Sequence, residues 1–131
     1  MSVESTMLTW SWPAVADLST FQYYPVTLIT SATFPDGCIT TIGATATKPV
    51  GILQDTPDAA GVMASVCISG ISKVRCYTGA IAVLDAIGVN TSGLGAVTTT
   101  DNQWIVGTAL EKADDTNEGT MLQVNVGVVR Y

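Results

Sequence analysis

The protein has 131 residues, of which 47% are apolar and 12% charged, and its formal net charge is −6. A chain of this length and composition buries a core and forms one ordered domain, or one domain with an extension. The acidic balance disfavours nucleic-acid binding because a phosphate backbone would be repelled. No apolar run approaches the ~20 residues of a bilayer-spanning helix. We expect neither nucleic acid nor membrane as a partner.

The first 30 residues differ in character from the rest of the chain. Residues 7–25, MLTWSWPAVADLSTFQYYP, contain two prolines and show no clean alternation of apolar and polar positions. We therefore predict an extended N-terminal arm over residues 1–30, with no strand, before a β-barrel domain over residues 31–131. The arm carries five aromatic side chains: Trp10, Trp12, Phe21, Tyr23 and Tyr24.

Energetics predict that this arm needs a second surface. Ordering some two dozen residues costs about as much free energy as burying five aromatic side chains returns. Exposed Trp and Tyr side chains also anchor many interfaces. We expect the arm to dock on a partner, and the alternative is that it packs on its own barrel.

Beyond the arm, short runs of Val, Ile, Thr and Ala separated by turn sequences predict a mainly β protein, a sandwich or small barrel. The end of the chain, TMLQVNVGVVRY, alternates apolar Leu122, Val124 and Val126 with Gln123 and Asn125, so one face of this strand is buried. We expect at most one short helix, either within 79–88 or within 55–60.

An internal repeat joins two distant segments. Residues 49–68, PVGILQDTPDAAGVMASVCI, align with residues 105–126, IVGTALEKADDTNEGTMLQVNV, with two extra residues in the second loop. The alignment pairs Gly51 with Gly107 and Val66 with Val124. It predicts a strand, acidic loop and strand that occur twice in a pseudo-symmetric barrel.

Residues that carry catalytic chemistry are scarce in the sequence. The chain has no histidine, which removes the commonest general base and the usual partner of a nucleophilic Ser or Cys. Cys38, Cys67 and Cys76 lack metal-type spacing and are expected to be small buried thiols. The acidic residues Asp55 and Asp58, and those in loop 114–119, suit solvated turns. We predict no enzyme activity, no metal and no cofactor.

Five segments over residues 49–131 follow a recognisable pattern. They are PVGILQ at 49–54, SGISKV at 69–74, TGAIAVLDAIGVNTSGLGAV at 78–97, IVGTALEKA at 105–113 and MLQVNV at 121–126. Together these segments resemble the capsid decoration, or cement, proteins of tailed bacteriophages. The chain departs from that family at Leu84, which stands where the family often has Gly before Asp85.

This resemblance implies a β-tulip-like barrel that binds the outer surface of the expanded icosahedral head as a homotrimer. At threefold and quasi-threefold positions such a protein bridges major capsid subunits and stabilises the shell against internal DNA pressure. The chain would be synthesised in the host cytoplasm and reside on the virion. The arm aromatics named above would bind the capsid. The expected trimer-interface residues are Tyr77, Trp104, Val128 and Tyr131.

Two other classes of function stay open at this point. A β-rich phage tail, fibre or surface adhesion module would use the same exposed aromatic side chains on a different target. An enzyme that relies on carboxylates alone would need a concave site joining Asp55, Asp58 or Asp85 to the second acidic loop.

Overall fold

A computed structural model describes residues 7–77, 80–113 and 120–130, which form nine β-strands and contain no helix. The strands are β1 (Leu8–Pro13), β2 (Pro25–Ile29), β3 (Cys38–Thr41), β4 (Gly51–Leu53), β5 (Met63–Cys76), β6 (Ala86–Val89), β7 (Gly95–Val97), β8 (Trp104–Ala109) and β9 (Thr120–Arg130). The predicted mainly β class is confirmed. Among the described residues there is accordingly no helix with the length and apolarity needed to cross a bilayer.

Strand β5 belongs to two closed sets of strands. Its first half pairs with β1 and β4, the pairing continues through β2 to β3, and a bridge between Ala14 and Ile39 returns to the end of β1. Its second half pairs with β9, the pairing continues through β8 and β6 to β7, and Cys76 opposite Gly95 returns to β5. We call the first set ring A and the second ring B.

Each ring encloses its own hydrophobic cluster. Inward side chains alternate along the strands with outward ones, as the pleat requires. The buried cluster of ring A consists of Ala14, Leu18, Val26, Ile39, Leu53, Ala64 and Val66. The larger cluster, which fills ring B and reaches into ring A's strands, consists of Ile42, Ile52, Cys67, Val74, Cys76, Ile81, Ile87, Val89, Val106, Ala109, Ala113, Leu122, Val124 and Val126.

The two rings are copies of one topological unit. The order β3, β2, β4, β5 in ring A corresponds to β7, β6, β8, β9 in ring B. Val26 lies opposite Gly51 in the first unit, and Ile87 lies opposite Gly107 in the second. The pairing of β1 with β5 in ring A corresponds to that of β5 with β9 in ring B. The predicted repeat is confirmed, and it extends to whole rings.

The acidic residues after β4 and β8 support the same equivalence. Asp55 accepts a hydrogen bond from the backbone N–H of Ser65 at 3.2 Å, and Glu111 accepts one from the N–H of Gln123 at 2.8 Å. Both carboxylates satisfy a backbone donor on the facing strand, at positions that the sequence alignment pairs. Part of the acidic character of these loops is therefore structural.

The expectation that residues 1–30 contain no strand is wrong. Residues 8–13 form β1, which pairs antiparallel with β5, and residues 25–29 form β2. The prolines do not prevent this, because Pro13 is the last residue of β1 and Pro25 the first of β2, where a ladder N–H is dispensable. The domain boundary placed at residue 30 stays a prediction.

Two glycines test the structural repeat. A Cβ on Gly51 would overlap the carbonyl oxygen of Cys67, and one on Gly107 would overlap that of Asn125. We expect Gly51→Ala and Gly107→Ala each to lower the free energy of unfolding by about 1–3 kcal/mol or more, because backbone cannot yield as a side chain can. Denaturant titration measures this.

The matched control is Gly127→Ala on β9, where nothing lies within 4 Å of the added atom. It should change the free energy of unfolding by less than about 0.5 kcal/mol. Equal effects at all three positions would contradict the close approach of the strands in both rings.

Candidate binding surface

Strand β1 holds the two tryptophans of the predicted arm in different environments. Trp12 is half-buried against the ring A cluster and lies opposite Ala64 on β5. Trp10 shares that face by alternation and lies opposite Val66, yet its side chain is 62% exposed. Ring A is closed at the Ala14 end of β1, so Trp10 lies at the ring's open end.

The other three arm aromatics lie in a turn between the rings. Phe21 and Tyr24 form an edge-to-face pair with ring centroids 5.1 Å apart, and Phe21 contacts the ring A cluster. Tyr23 packs against the ring B cluster instead, and its backbone φ is +67°. All three side chains are half-buried, so Trp10 is the most exposed of the five predicted capsid-binding residues. The binding role of all five stays a prediction.

The turn around Tyr23 ties the rings together through backbone hydrogen bonds. The N–H of Tyr23 donates to the carbonyl of Leu53 at 2.7 Å, and the N–H of Arg75 on β5 donates to the carbonyl of Tyr23 at 3.0 Å. The ammonium of Lys73 lies 6.0 Å from the centre of the Tyr23 ring, at the limit of a cation–π contact.

Trp104, predicted at a trimer interface, lies between two cations. The Lys48 Nζ is 4.8 Å and the Arg130 Cζ 4.7 Å from the centre of its indole ring. Trp104 and Arg130 are cross-strand partners on β8 and β9, and Val128 lies two residues before Arg130 and is half-buried. The result is a mixed aromatic and cationic surface on an otherwise acidic protein.

The remaining trimer candidates are Tyr77 and Tyr131. Tyr77 follows β5, is exposed, and donates its backbone N–H to the carbonyl of Gly95 on β7. Tyr131 lies outside the described residues. That these four residues form one interface stays a prediction.

An open pocket of about 340 Å³ adjoins the Trp104 cluster through Lys48. Its floor is fixed by the hydroxyl of Thr27, which donates to the carbonyl of Lys48 at 2.7 Å. The lining residues are Thr27, Leu28, Lys48, Pro49 and Val50. With one charged group and a mainly apolar wall, the pocket suits a contacting side chain of another protein.

The carboxylates considered for catalysis serve the backbone. Asp55 caps Ser65 as described, and Asp85 Oδ2 accepts from the N–H of Ala82 at 2.8 Å within its own turn. Asp58 is exposed, and loop 114–119 lies outside the described residues. The described residues contain no group of three potential metal ligands.

A second exposed apolar site was not recognised from the sequence. The turn over residues 82–85 presents Val83 and Leu84, with Leu84 72% exposed and at a φ of +72°. A branched aliphatic side chain is unfavourable in that backbone region. The signal available in the sequence was an apolar pair directly before a turn-forming Asp, within a segment that was considered for a helix.

Comparisons with known proteins give a likeness of fold. No known protein family matches the chain, and no curated protein matches it in sequence. Among solved structures, the chain is similar to the crystal structure of the head fiber gp8.5 N base in bacteriophage phi29. The TM-score is 0.69 and the identity 16%, and the match covers 93% of this chain and 95% of the other. The all-β fold is therefore found in a phage head fiber base.

The two tryptophans of β1 give a test of how residues 7–13 are held. We expect Trp12→Ala to lower the free energy of unfolding by about 2–3 kcal/mol, because roughly half of a large aromatic surface leaves the ring A cluster. Trp10→Thr keeps a strand-forming residue at an exposed site and should change it by less than about 0.5 kcal/mol. Equal, small effects on the denaturant midpoint would indicate that β1 does not pack on ring A.

The buried thiols give a pH-dependent prediction. Cys38, Cys67 and Cys76 are free and buried, and burial raises the pKa of Cys76 from 9.0 to about 12. The stability contributed by keeping this thiol protonated is complete below pH 9 and is lost as the pH rises from 9 to 12, because the unfolded thiol ionises first. We expect Cys76→Ala to lose about 1 kcal/mol less stability than wild type between pH 8 and pH 10. An identical pH profile for both proteins would contradict this.

Proposed function

We propose that this chain is a structural protein of a tailed-phage head, attached to the outer surface of the capsid. The observation that carries the proposal is the likeness to the phi29 head fiber base, which extends over nearly the full length of both chains. The TM-score of 0.69 supports a shared architecture, and the function of that architecture in this chain is our inference.

Within this proposal the finer role is decoration of the expanded head. The chain would bind as a homotrimer at threefold and quasi-threefold positions, contact neighbouring major capsid subunits and stabilise the shell by binding energy alone. Repetition of many weak contacts over the head would give strong avidity. The carboxylates that serve backbone hydrogen bonds are consistent with a role that needs no chemistry.

Two surfaces are available for such contacts. One is the open end of ring A with Trp10, and the other is the cluster of Trp104 with Lys48 and Arg130 beside the open pocket. The cationic cluster suits an acidic patch on a capsid subunit, since it concentrates two of the five basic residues of the chain. Trp10 suits an apolar contact, either with the capsid or with a sister copy.

A second candidate function is the base of a fiber or adhesion module. The structurally similar phi29 protein is a head fiber base, which favours this alternative. In that case the chain would still attach to the virion, but its role would be to carry another element and not to strengthen the shell.

The deciding experiment mixes the purified protein with expanded, undecorated heads of its phage and sediments them. We expect the protein to pellet with the heads to a fixed saturating ratio and to raise the temperature at which the heads release DNA. Lys48→Ala combined with Arg130→Ala should weaken pelleting several-fold. Val97→Thr, an exposed position on β7 that is not a member of either surface, is the control.

Protein that stays in the supernatant at all ratios would overturn the head-binding proposal. Saturating binding without any change in DNA release would favour the fiber-base alternative. Point substitutions are preferable to truncation of the first 24 residues, because that truncation removes β1 and opens ring A.

A further inference from the structure

Inside one chain, the first unit closes the open end of ring B. Ser72 on β5 lies at that end and is 2% exposed. The side-chain amide of Gln54 donates to the Ser72 hydroxyl at 2.8 Å, and the adjoining turn packs Tyr23 on the ring B cluster. Gln22 completes the contact by donating to the backbone carbonyl of Gln54 at 2.9 Å. We call this contact the ring junction.

The second unit builds the same turn again. The N–H of Leu84 donates to the carbonyl of Ala109 at 2.8 Å, as that of Tyr23 does to Leu53 at 2.7 Å. The N–H of Asp85 closes its turn at 3.2 Å, and the φ of Leu84 is +72° against +67° for Tyr23. Leu84 therefore occupies in the second unit the position that Tyr23 occupies in the first.

Among the described residues, no further ring lies beyond this second turn. Leu84 is 72% exposed, and Val83 and Leu110, which take the positions of Gln22 and Gln54, are 54% and 39% exposed. Where the second unit faces solvent, apolar Val83 and Leu110 thus stand in place of the polar Gln22 and Gln54 of the ring junction. A surface that remained in water would favour the opposite exchange.

The open end of ring A carries the residues equivalent to the other side of the ring junction. In ring B, Ser72 lies opposite Val124, and in ring A, Trp10 lies opposite Val66. Because the repeat pairs Val66 with Val124, Trp10 in ring A takes the position of Ser72 in ring B. Ser72 is buried by the ring junction, whereas Trp10 is 62% exposed. Again a polar residue of the junction is replaced by a large apolar one.

The backbone of Leu84 adds an independent observation. A non-glycine residue at positive φ is held in a sparsely populated conformation, and such strain persists where the surroundings use it. Tyr23 uses this conformation to reach the ring B cluster. Leu84 has the same conformation, and the described part of the chain leaves its side chain in solvent.

We propose that copies of this chain associate head-to-tail, with the turn 82–85 and Leu110 of one copy closing the open end of ring A, at Trp10, in the next. This contact would join the copies of the homotrimer proposed above, and only the number of copies rests on that proposed function. The partner is a second copy because both halves of a contact already seen within the chain are exposed, apolar and matched. Three copies would place six rings in sequence, each joined to the next by a junction of the same kind.

Such a contact is heterologous, so it closes into a ring or extends into a filament according to its rotation. It differs from the intrachain junction in one respect. Pro13 takes the place of Arg75, whose N–H donates to Tyr23, so the contact between copies lacks that hydrogen bond. The contact between copies is therefore more apolar, and we expect it to be insensitive to salt.

The test is a complementation experiment on two variants of the full chain. Leu84→Asn removes the apolar side chain but keeps a residue that tolerates positive φ, and Trp10→Thr keeps a strand former. We expect wild type to assemble and each variant alone to run as a 13.6 kDa monomer by light scattering. An equimolar mixture should give a one-to-one heterodimer, because one intact contact can form between the Leu84→Asn copy's Trp10 and the Trp10→Thr copy's Leu84.

Controls and contrary outcomes separate this inference from the proposed function. Val97→Thr should assemble as wild type, and circular dichroism should show that both variants keep the fold. A monomeric wild type, or variants that still assemble, would overturn the head-to-tail contact, as would a mixture that stays monomeric. Trp10→Thr that assembles but no longer pellets with heads would assign Trp10 to the capsid and also overturn it. Assembly without any head binding would leave this contact in place and overturn the proposed function.

Discussion

Strand β5 is the element on which the whole structure depends. Its first half supplies a wall of ring A and its second half a wall of ring B, and Gly70, at a φ of +108°, lies where one half passes to the other. Because the strand is continuous through both rings, the two hydrophobic clusters are joined through one backbone element. Alternate side chains of β5 therefore enter the ring A cluster in its first half and the ring B cluster in its second half.

The same unit built twice gives a molecule with two unlike ends. Within the chain, the turn of the first unit lies on the second ring through Tyr23 and Gln54. The equivalent positions outside this contact face solvent, and there Leu84, Leu110 and Trp10 stand in place of Tyr23, Gln54 and Ser72. The repeated unit thus accounts both for the contact within the chain and for the exposed residues at the equivalent positions.

Alternation of apolar and polar residues predicts a strand correctly where one face of the strand is buried. It is insufficient where one segment contributes side chains to two hydrophobic clusters. Leu122, Val124 and Val126 were placed on the core face of β9 because strict alternation leaves no other register. The arm was misjudged because Trp12 packs into ring A while Tyr23 turns into ring B, so its apolar residues follow no single period. Its prolines are compatible with strands because they lie at strand ends.

The sequence by itself determined the mainly β class, the alternating strands and the repeat of residues 49–68 in 105–126, since these depend on neighbouring residues and on local turn chemistry. Only the tertiary structure decided that β1 closes ring A, that β5 is shared, and that Leu84 and Trp10 occupy the positions of Tyr23 and Ser72. Those equivalences depend on which strand lies beside which, and strand neighbours distant in the chain are set by closure of the two clusters and not by any local pattern.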